Sequence, residues 1–165
     1  AYLKDEAPSL DAVLNVDGTV DPTLDWHAHV QDPGELSNYN EPHAVLFWRD
    51  YDEALKTEEP LVGYITTTVV SPEAREAVFY FSTTGDTEIM LNGESVSVAP
   101  HPDESHLRPH FRSAYRTECM RLREGENVLL IRSTPSEEEK LYWWYFGARF
   151  VDGNGELMLD LDFRV

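Results

Sequence analysis

The chain has 165 residues, and its 31 acidic side chains against 13 lysines and arginines give a formal net charge of −18 with histidine neutral. Nucleic acids and anionic membrane surfaces are bound through clustered lysine and arginine, so this charge argues against both as partners. Hydrophobic residues make up 41% of the chain, which is too much for an acidic disordered segment and enough for one folded domain.

The sequence carries no recognisable membrane or targeting signal. It has no run of about 18 apolar residues, and residues 1–6 lack both the basic and the apolar part of a signal peptide. We therefore expect no membrane insertion. Cys119 is the single cysteine, so no intramolecular disulfide can form.

The first sixty residues are dominated by turn formers and predict an irregular segment. Turns are indicated at residues 17–19, 21–22 and 32–34, where Asp, Gly and Pro cluster. Residues 25–30 predict a short strand, and residues 51–56 have some helical character that Pro60 ends. We expect residues 1–60 to complete or cap a sandwich formed by residues 61–165, in a single domain over residues 1–165.

From residue 61 onward, short runs of β-branched and aromatic residues alternate with turn residues and predict strands. Asn92 and Gly93 join two of these runs and predict a type I′ hairpin, because both residues tolerate positive φ. Residues 99–109 predict an irregular loop. Eight or nine strands are expected, which is typical of an all-β sandwich or jelly roll. They cover residues 61–70, 77–82, 88–91, 94–98, 112–122, 127–133, 141–151 and 156–165.

Three blocks in this region resemble a known family. An apolar strand at residues 78–81 precedes Ile-Met-Leu-Asn-Gly-Glu-Ser-Val at 89–96; Leu-Arg-Glu-Gly-Glu-Asn begins the block at 122–131; an aromatic strand at 144–151 precedes an Asp-Gly turn. The order resembles the galactose-binding-like module, an antiparallel jelly-roll β-sandwich attached to glycoside hydrolases and other polysaccharide-active proteins. The resemblance covers roughly residues 61–162. From the residues alone, Gly125 permits a tight turn that Asn127 can brace through local backbone hydrogen bonds.

The resemblance implies a non-catalytic carbohydrate-binding module of a larger secreted or cell-surface protein, in an extracellular or periplasmic location. It also implies a structural calcium ion near the N-terminal strands. The oxygen-rich turn of Asn15, Asp17, Thr19 and Asp21 is the candidate site for that ion by analogy. An ordinary solvated turn is the alternative at each of these positions. His27 and His29 share one face of a predicted strand and suggest a weaker zinc alternative.

The densest aromatic cluster, at residues 141–146, supplies the candidate sugar site. Alternate strand residues share a face, so Trp143, Tyr145 and Arg149 lie together. Aromatic rings beside an arginine suit a sugar, whose C–H face stacks while its hydroxyls accept hydrogen bonds. Arg112 and Tyr115 are expected to contribute from nearby. The alternative is that Trp143 and Tyr145 pack under a loop or against the N-terminal residues.

Catalysis receives little support from the sequence. It has neither a Gly-x-Ser-x-Gly elbow nor a phosphate-binding glycine loop, and Cys119 is expected to be a buried, inert thiol. A uronate-cleaving lyase site can be drawn from His110, Arg112, Tyr115 and Arg116. The same cluster could instead bind an acidic sugar without chemistry, or could simply be a basic patch on an acidic surface, and these two interpretations together are favoured over catalysis. We expect no catalytic activity, with the lyase and a structural or docking domain as the two alternatives. Five arginines form a small cationic group in this otherwise acidic chain: Arg108, Arg112, Arg116, Arg121 and Arg123.

Overall fold

A computed structural model describes residues 2–3, 9–26, 44–48, 62–83, 85–100, 114–135 and 144–164, with the backbone alone described at several strand ends. This part of the chain forms twelve strands and one short helix, and none of its helices is long and apolar enough to cross a bilayer. The elements in chain order are β1 (Tyr2–Leu3), α1 (Leu10–Val13), β2 (Ala44–Trp48), β3 (Gly63–Ser71), β4 (Arg75–Thr83), β5 (Gly85–Leu91), β6 (Glu94–Val96), β7 (Val98–Pro100), β8 (Ala114–Thr117), β9 (Met120–Leu122), β10 (Gly125–Pro135), β11 (Trp144–Val151) and β12 (Asp162–Arg164).

The strands form two sheets in which every described pair is antiparallel. Sheet A has the order β1-β3-β10-β5-β6, and β12 pairs with β3 further along the edge that β1 occupies. Sheet B has the order β2-β11-β4-β8-β7, and β9 also pairs with β4. The prediction of an antiparallel all-β fold is therefore confirmed.

The two sheets share one hydrophobic core. Strands β3, β5 and β10 of sheet A and strands β4, β9 and β11 of sheet B contribute alternate side chains to it, as period-2 strands must when one face is buried. Phe79 lies at its centre, with its ring centroid 4.8 Å from that of Phe150 and 5.9 Å from that of Phe81. The core residues are Ile65, Val69, Ala77, Phe79, Phe81, Ile89, Leu91, Met120, Leu122, Leu129, Ile131, Phe150, Met158 and Leu161.

A second, smaller core covers the opposite face of sheet A. Tyr64, Met90 and Leu130 lie on that face and pack with Val13 of α1. Leucine and valine side chains from residues 10–24, together with Trp26, surround this cluster, and the Trp26 indole Nε1 donates a hydrogen bond to the carbonyl oxygen of Asp21 (2.7 Å). Residues 9–26 are called the cap below, because they close the outer face of sheet A.

The hairpin at Asn92 and Gly93 has the predicted form. Their φ angles are 52° and 81°, and Leu91 pairs with Glu94 across the turn. Both central residues thus adopt the positive φ that a type I′ turn requires, which confirms the prediction.

Asn127 braces the turn around Gly125, also as predicted. Its side chain is fully buried, and its Nδ2 donates to the carbonyl oxygens of Arg123 (2.9 Å), Gly125 (3.1 Å) and Val69 (3.3 Å). Its Oδ1 accepts from the Arg123 backbone N–H (3.0 Å) and from Nδ2 of Asn92 (3.2 Å). The Asn-Gly hairpin and the Gly-Glu-Asn turn are therefore one hydrogen-bonded unit, although they are far apart in the sequence.

Several helix and strand assignments differ from the prediction. The closing strand is limited to Asp162–Arg164. Before it, the Asp152 carboxylate accepts hydrogen bonds from the Asn154 and Glu156 N–H groups in a turn, and Leu157 forms only an isolated bridge with Val151. Ala99 lies in β7 rather than in the predicted loop. Helix α1 was not predicted. Residues 25–26 of the strand expected at 25–30 are not in a strand. The rest of that strand and the predicted helical segment 51–56 lie outside the described residues.

Cys119 contradicts the expectation of a buried thiol, because it is exposed. The reason is a break between β8 and β9. Arg116 pairs with Tyr80 and Met120 pairs with Ala77, so the chain carries one residue more than β4 between these pairs. Such a β-bulge leaves its extra residue outside the ladder, and the bulge turns Cys119 away from the core.

Candidate functional site

The outer face of sheet B carries a row of side chains from three neighbouring strands. Arg149 of β11 is directly opposite Tyr80 of β4, and Tyr80 is directly opposite Arg116 of β8. Opposite residues in adjacent strands present their side chains on the same face. The next residues along β4 and β11, Phe79 and Phe150, are in the core, which puts the Arg149, Tyr80 and Arg116 row on the outer face. We call these three residues the arginine row.

Arg149 and Tyr80 are in contact within this row. The Arg149 Cζ atom lies 5.9 Å from the centroid of the Tyr80 ring, within the range of a cation–π interaction. Both side chains are half-buried, whereas Arg116 is exposed. The contact holds the guanidinium of Arg149 against a ring that is itself fixed by the central strand of the sheet.

The described arginines fall into two groups according to whether they have a hydrogen-bonding or ion-pair partner. Arg75, Arg132 and Arg164 each pair with a carboxylate, of Asp160, Glu88 and Glu126 respectively. Arg123 donates to Oδ1 of Asn92 (2.7 Å). Among the residues that the structure describes, no carboxylate forms an ion pair with Arg116, Arg121 or Arg149. Arg121 is directly opposite Glu76 in the strand register, whereas Arg149 and Arg116 are each opposite Tyr80.

The predicted sugar site maps onto this region only in part. Arg149 is in the arginine row. Tyr145 and Tyr115 lie in β11 and β8, where their backbones pair with Leu46 and Phe81, and their side chains are outside the description. Trp143 and Arg112 lie outside the described residues. Their contribution to a site stays a prediction.

Tyr80 was missed by the sequence reasoning, although a signal for it was present. In the run from Ala77 to Phe81, Tyr80 occupies the alternate position to Phe79 and Phe81, so a core for the phenylalanines places the tyrosine outside. What the sequence did not show is that the register between β4 and β11 puts Tyr80 opposite Arg149.

Three of the four candidate calcium ligands are joined to one another by hydrogen bonds. Asp17 Oδ1 accepts hydrogen bonds from the Thr19 N–H (3.0 Å) and hydroxyl (2.6 Å), and Asn15 Nδ2 donates to the same hydroxyl (3.0 Å). Asp21 instead accepts from the N–H and hydroxyl of Thr23 (2.8 and 2.7 Å). The pKa of Asp17 and that of Asp21 are lowered, in each case chiefly by the threonine hydroxyl bond. Calcium binding at this turn stays a prediction.

The described residues provide little support for the zinc, lyase and cysteine sites considered from the sequence. No three His, Cys, Asp or Glu side chains in this part of the chain are placed to hold a metal ion. His27, His29 and the proposed lyase residues His110 and Arg112 lie outside it. The pKa of the Cys119 thiol is raised, first by desolvation and then by the nearby Glu76, which disfavours the reactive thiolate.

Apolar side chains are exposed along the C-terminal segment. Leu157, Leu159 and Phe163 are 52%, 87% and 53% exposed, while Met158 and Leu161 between them are buried in the core. The ring of Phe163 lies 6.1 Å from that of Phe150, so it covers the edge of the core. We call Leu157, Leu159 and Phe163 the C-terminal apolar patch.

Comparison with known proteins gives one structural neighbour and no family. No family model and no curated protein matches the sequence. The crystal structure of a β-glucosidase from Kluyveromyces marxianus is similar over 57% of this chain, with 17% sequence identity and a TM-score of 0.43. The aligned part covers 11% of the β-glucosidase chain.

Proposed function

We propose that this chain is a non-catalytic carbohydrate-binding module of a larger secreted or cell-surface polysaccharide-active protein. Its sandwich is proposed to be a galactose-binding-like jelly roll, in keeping with the sequence blocks that suggested it. The observation that carries the binding function is the contact of the Arg149 guanidinium with the Tyr80 ring on the outer face of sheet B, beside Arg116.

The chemistry of the arginine row suits a sugar. Each guanidinium has five N–H donors, and sugar hydroxyls and ring oxygens are acceptors. A tyrosine ring offers an apolar face and a hydroxyl at its end. Because the three side chains stand on adjacent strands, their spacing is set by the hydrogen-bonded ladder, which lowers the conformational cost of ordering them around a ligand.

The two outer faces of the sandwich are not equivalent. The face of sheet A is occupied by the cap, which buries Tyr64, Met90 and Leu130. The face of sheet B carries half-buried Tyr80 and Arg149 and exposed Arg116. This asymmetry favours sheet B as the binding face. Trp143, Tyr145, Arg112 and Tyr115 are retained as proposed additional contacts.

The test is binding of the purified chain to a glycan array, followed by isothermal titration with the best glycan. We expect Arg149→Ala to weaken binding by about tenfold, because it removes charge-assisted hydrogen bonds and the contact with Tyr80. Arg164→Ala is the matched control, because Arg164 is an exposed arginine of sheet A. A chain that binds no glycan on the array would contradict the proposal.

A structural or docking domain is the second candidate, and the C-terminal apolar patch favours it. Three exposed apolar side chains within seven residues suit a surface that packs on a neighbouring domain. Under this alternative the isolated chain has no glycan affinity and binds an apolar dye through the patch. Leu159→Ser should then reduce dye binding while leaving the fold intact, since Leu159 is 87% exposed.

The remaining expectations are proposals of the same kind. An extracellular or periplasmic location follows from the proposed module type. A structural calcium ion at Asn15, Asp17, Thr19 and Asp21 follows from the same resemblance.

A further inference from the structure

We infer that the ligand of the arginine row is a carboxylated sugar, with its carboxylate bound between Arg149 and Arg116. The inference rests on the proposed function and adds the chemical class of the glycan. It follows from the positions of the two arginines, the orientation of one of them by Tyr80, and the charge of their surroundings.

The two arginines lie on opposite sides of Tyr80. Strands β11 and β8 both pair with β4, so their backbones are two strand spacings apart, about 10 Å. Arginine side chains are long and flexible enough to approach a group above the central strand from both sides. A carboxylate has two oxygens and about four lone-pair sites, so it can accept from both guanidiniums at once.

Tyr80 restricts one of these arginines before any ligand binds. The guanidinium of Arg149 packs against the ring at 5.9 Å and is half-buried. An arginine held in this way loses less rotamer freedom when it binds, and its planar fork matches a carboxylate. A neutral sugar would accept hydrogen bonds from the guanidinium N–H groups but would not use the positive charge of the guanidinium.

Local charge favours an anion at this position. Arg149 and Arg116 are like charges in the same row, and among the described residues neither has a carboxylate partner. Arg121 differs, because it is directly opposite Glu76 in the register. A carboxylate above Tyr80 would therefore neutralise two arginines that form no ion pair with any described residue, and charge-assisted hydrogen bonds are about twice as strong as neutral ones.

The net charge limits how anionic the ligand can be. The −18 charge of the chain repels a long polyanion, although charges farther than about 8 Å are largely screened at physiological ionic strength. A sugar with one carboxylate in the row experiences the two arginines strongly and the distant acids weakly. A densely charged polymer such as DNA would place many phosphates near those acids. A short uronate-containing oligosaccharide has a carboxylate for the arginine row and is small enough to avoid most of the acidic surface.

The experiment compares two ligands with the same sugar backbone, one with free carboxylates and one in which methyl esters replace them. Tetragalacturonate and its fully methyl-esterified form are titrated into the purified chain, into Arg149→Gln and Arg116→Gln, and into Arg164→Gln as the control. We expect the acid to bind at least about tenfold more tightly than the ester, consistent with one or two charge-assisted hydrogen bonds. Each row variant should remove most of that preference, Arg164→Gln should keep it, and added salt should reduce it. Circular dichroism confirms that each variant is folded, and Arg116→Gln, at an exposed position, keeps the test valid if Arg149→Gln does not fold.

The outcomes separate the two proposals. Equal binding of the acid and the ester would overturn the carboxylate inference and leave the carbohydrate-binding proposal standing. A glycan array without any hit, together with no binding of either tetrasaccharide, would overturn both. Equally tight binding of an oligodeoxynucleotide tetramer would overturn the inference by showing a site for anions in general. Preference for a tetrasaccharide that carries sulfate groups and no carboxylate over tetragalacturonate would also overturn it.

Discussion

Gly18 lies so close to the β5–β6 hairpin that a Cβ atom added to it would stand 2.3 Å from the carbonyl oxygen of Asn92. The contact is reciprocal, because a Cβ on Gly93 would stand 2.7 Å from the Cα of Gly18. Backbone thus touches backbone between the cap and the turn of sheet A. The cap can reach this position only because both residues lack a side chain.

The first prediction follows from this contact. Gly18→Ala should destabilise the protein by about 2 kcal/mol or more, because it combines a left-handed backbone with a clash. Gly125→Ala is the matched control: Gly125 has a φ of 86°, close to the 82° of Gly18, but open space where its Cβ would be. It should cost only about 1 kcal/mol, the price of the left-handed conformation. Urea unfolding measures both, and equal losses would show that the contact with Asn92 contributes nothing.

The second prediction concerns the polar group at the centre of the turns. Asn127→Ala should lower the free energy of unfolding by about 2–4 kcal/mol, because it removes the five hydrogen bonds of a fully buried amide side chain. Asn154→Ala is the control at an exposed asparagine. The midpoint of urea unfolding is the measurement. A loss within 0.5 kcal/mol (about the range of an ordinary surface substitution) would contradict the role assigned to Asn127.

The third prediction concerns acid stability. Arg75 donates two hydrogen bonds of 2.8 Å to the Asp160 carboxylate, and this holds the pKa of Asp160 below its ordinary value. A depressed pKa in the folded state stabilises the protein above the ordinary pKa of about 4, and that stabilisation is lost as the pH falls through the folded value. Asp160→Asn should therefore destabilise the protein at pH 7 and leave it unchanged at pH 2.

Unfolding in urea at a series of pH values tests this expectation. In an Arg75→Gln background the Asp160→Asn substitution should have little further effect at any pH, because the pair is already broken. A constant effect of Asp160→Asn from pH 7 to pH 2 would mean that its ionisation is not coupled to folding. Asp160 is 54% exposed in its side chain, so the effect at pH 7 is expected to be small.

The fourth prediction tests calcium at the N-terminal turn. A calcium ion that binds only the folded protein raises the melting temperature by mass action, so calcium should increase it and a chelator should reverse the increase. Asp17→Asn should abolish the response, while Asp152→Asn, in a comparable turn, should keep it. A melting temperature that is insensitive to calcium would leave the bonds from Thr19 and Thr23 as the whole role of Asp17 and Asp21.

The fold class could be predicted because it depends on local patterns. Alternation of apolar and polar residues along strands, and the Asn92 and Gly93 turn, are properties of a few consecutive residues. The strand predicted at residues 156–165 was wrong for most of its length. Its first residue, Glu156, belongs to a turn in which the Asp152 carboxylate binds the backbone N–H, and Leu157 forms only an isolated bridge with Val151. The prediction that Cys119 is buried was wrong, because a β-bulge depends on the register between two strands that are distant in sequence.

The candidate site shows the same division. Arg149 was selected from its place in an aromatic strand, and its outward position follows from alternation with Phe150. Tyr80 and Arg116 join it only through pairing between β11, β4 and β8, which no local signal encodes. The cap could have been anticipated in part, since Leu129, Leu130 and Ile131 are consecutive apolar residues and indicate a strand buried on both faces.

By itself, the sequence determined an acidic, all-β chain with a type I′ hairpin and a braced glycine turn, since propensity, alternation and turn chemistry act over a few residues. The tertiary structure alone decided that the cap closes sheet A through a glycine contact, and that two arginines flank a tyrosine on sheet B. Such relationships join residues far apart in the chain, so they are set by strand register and packing, which bury β10 on both faces.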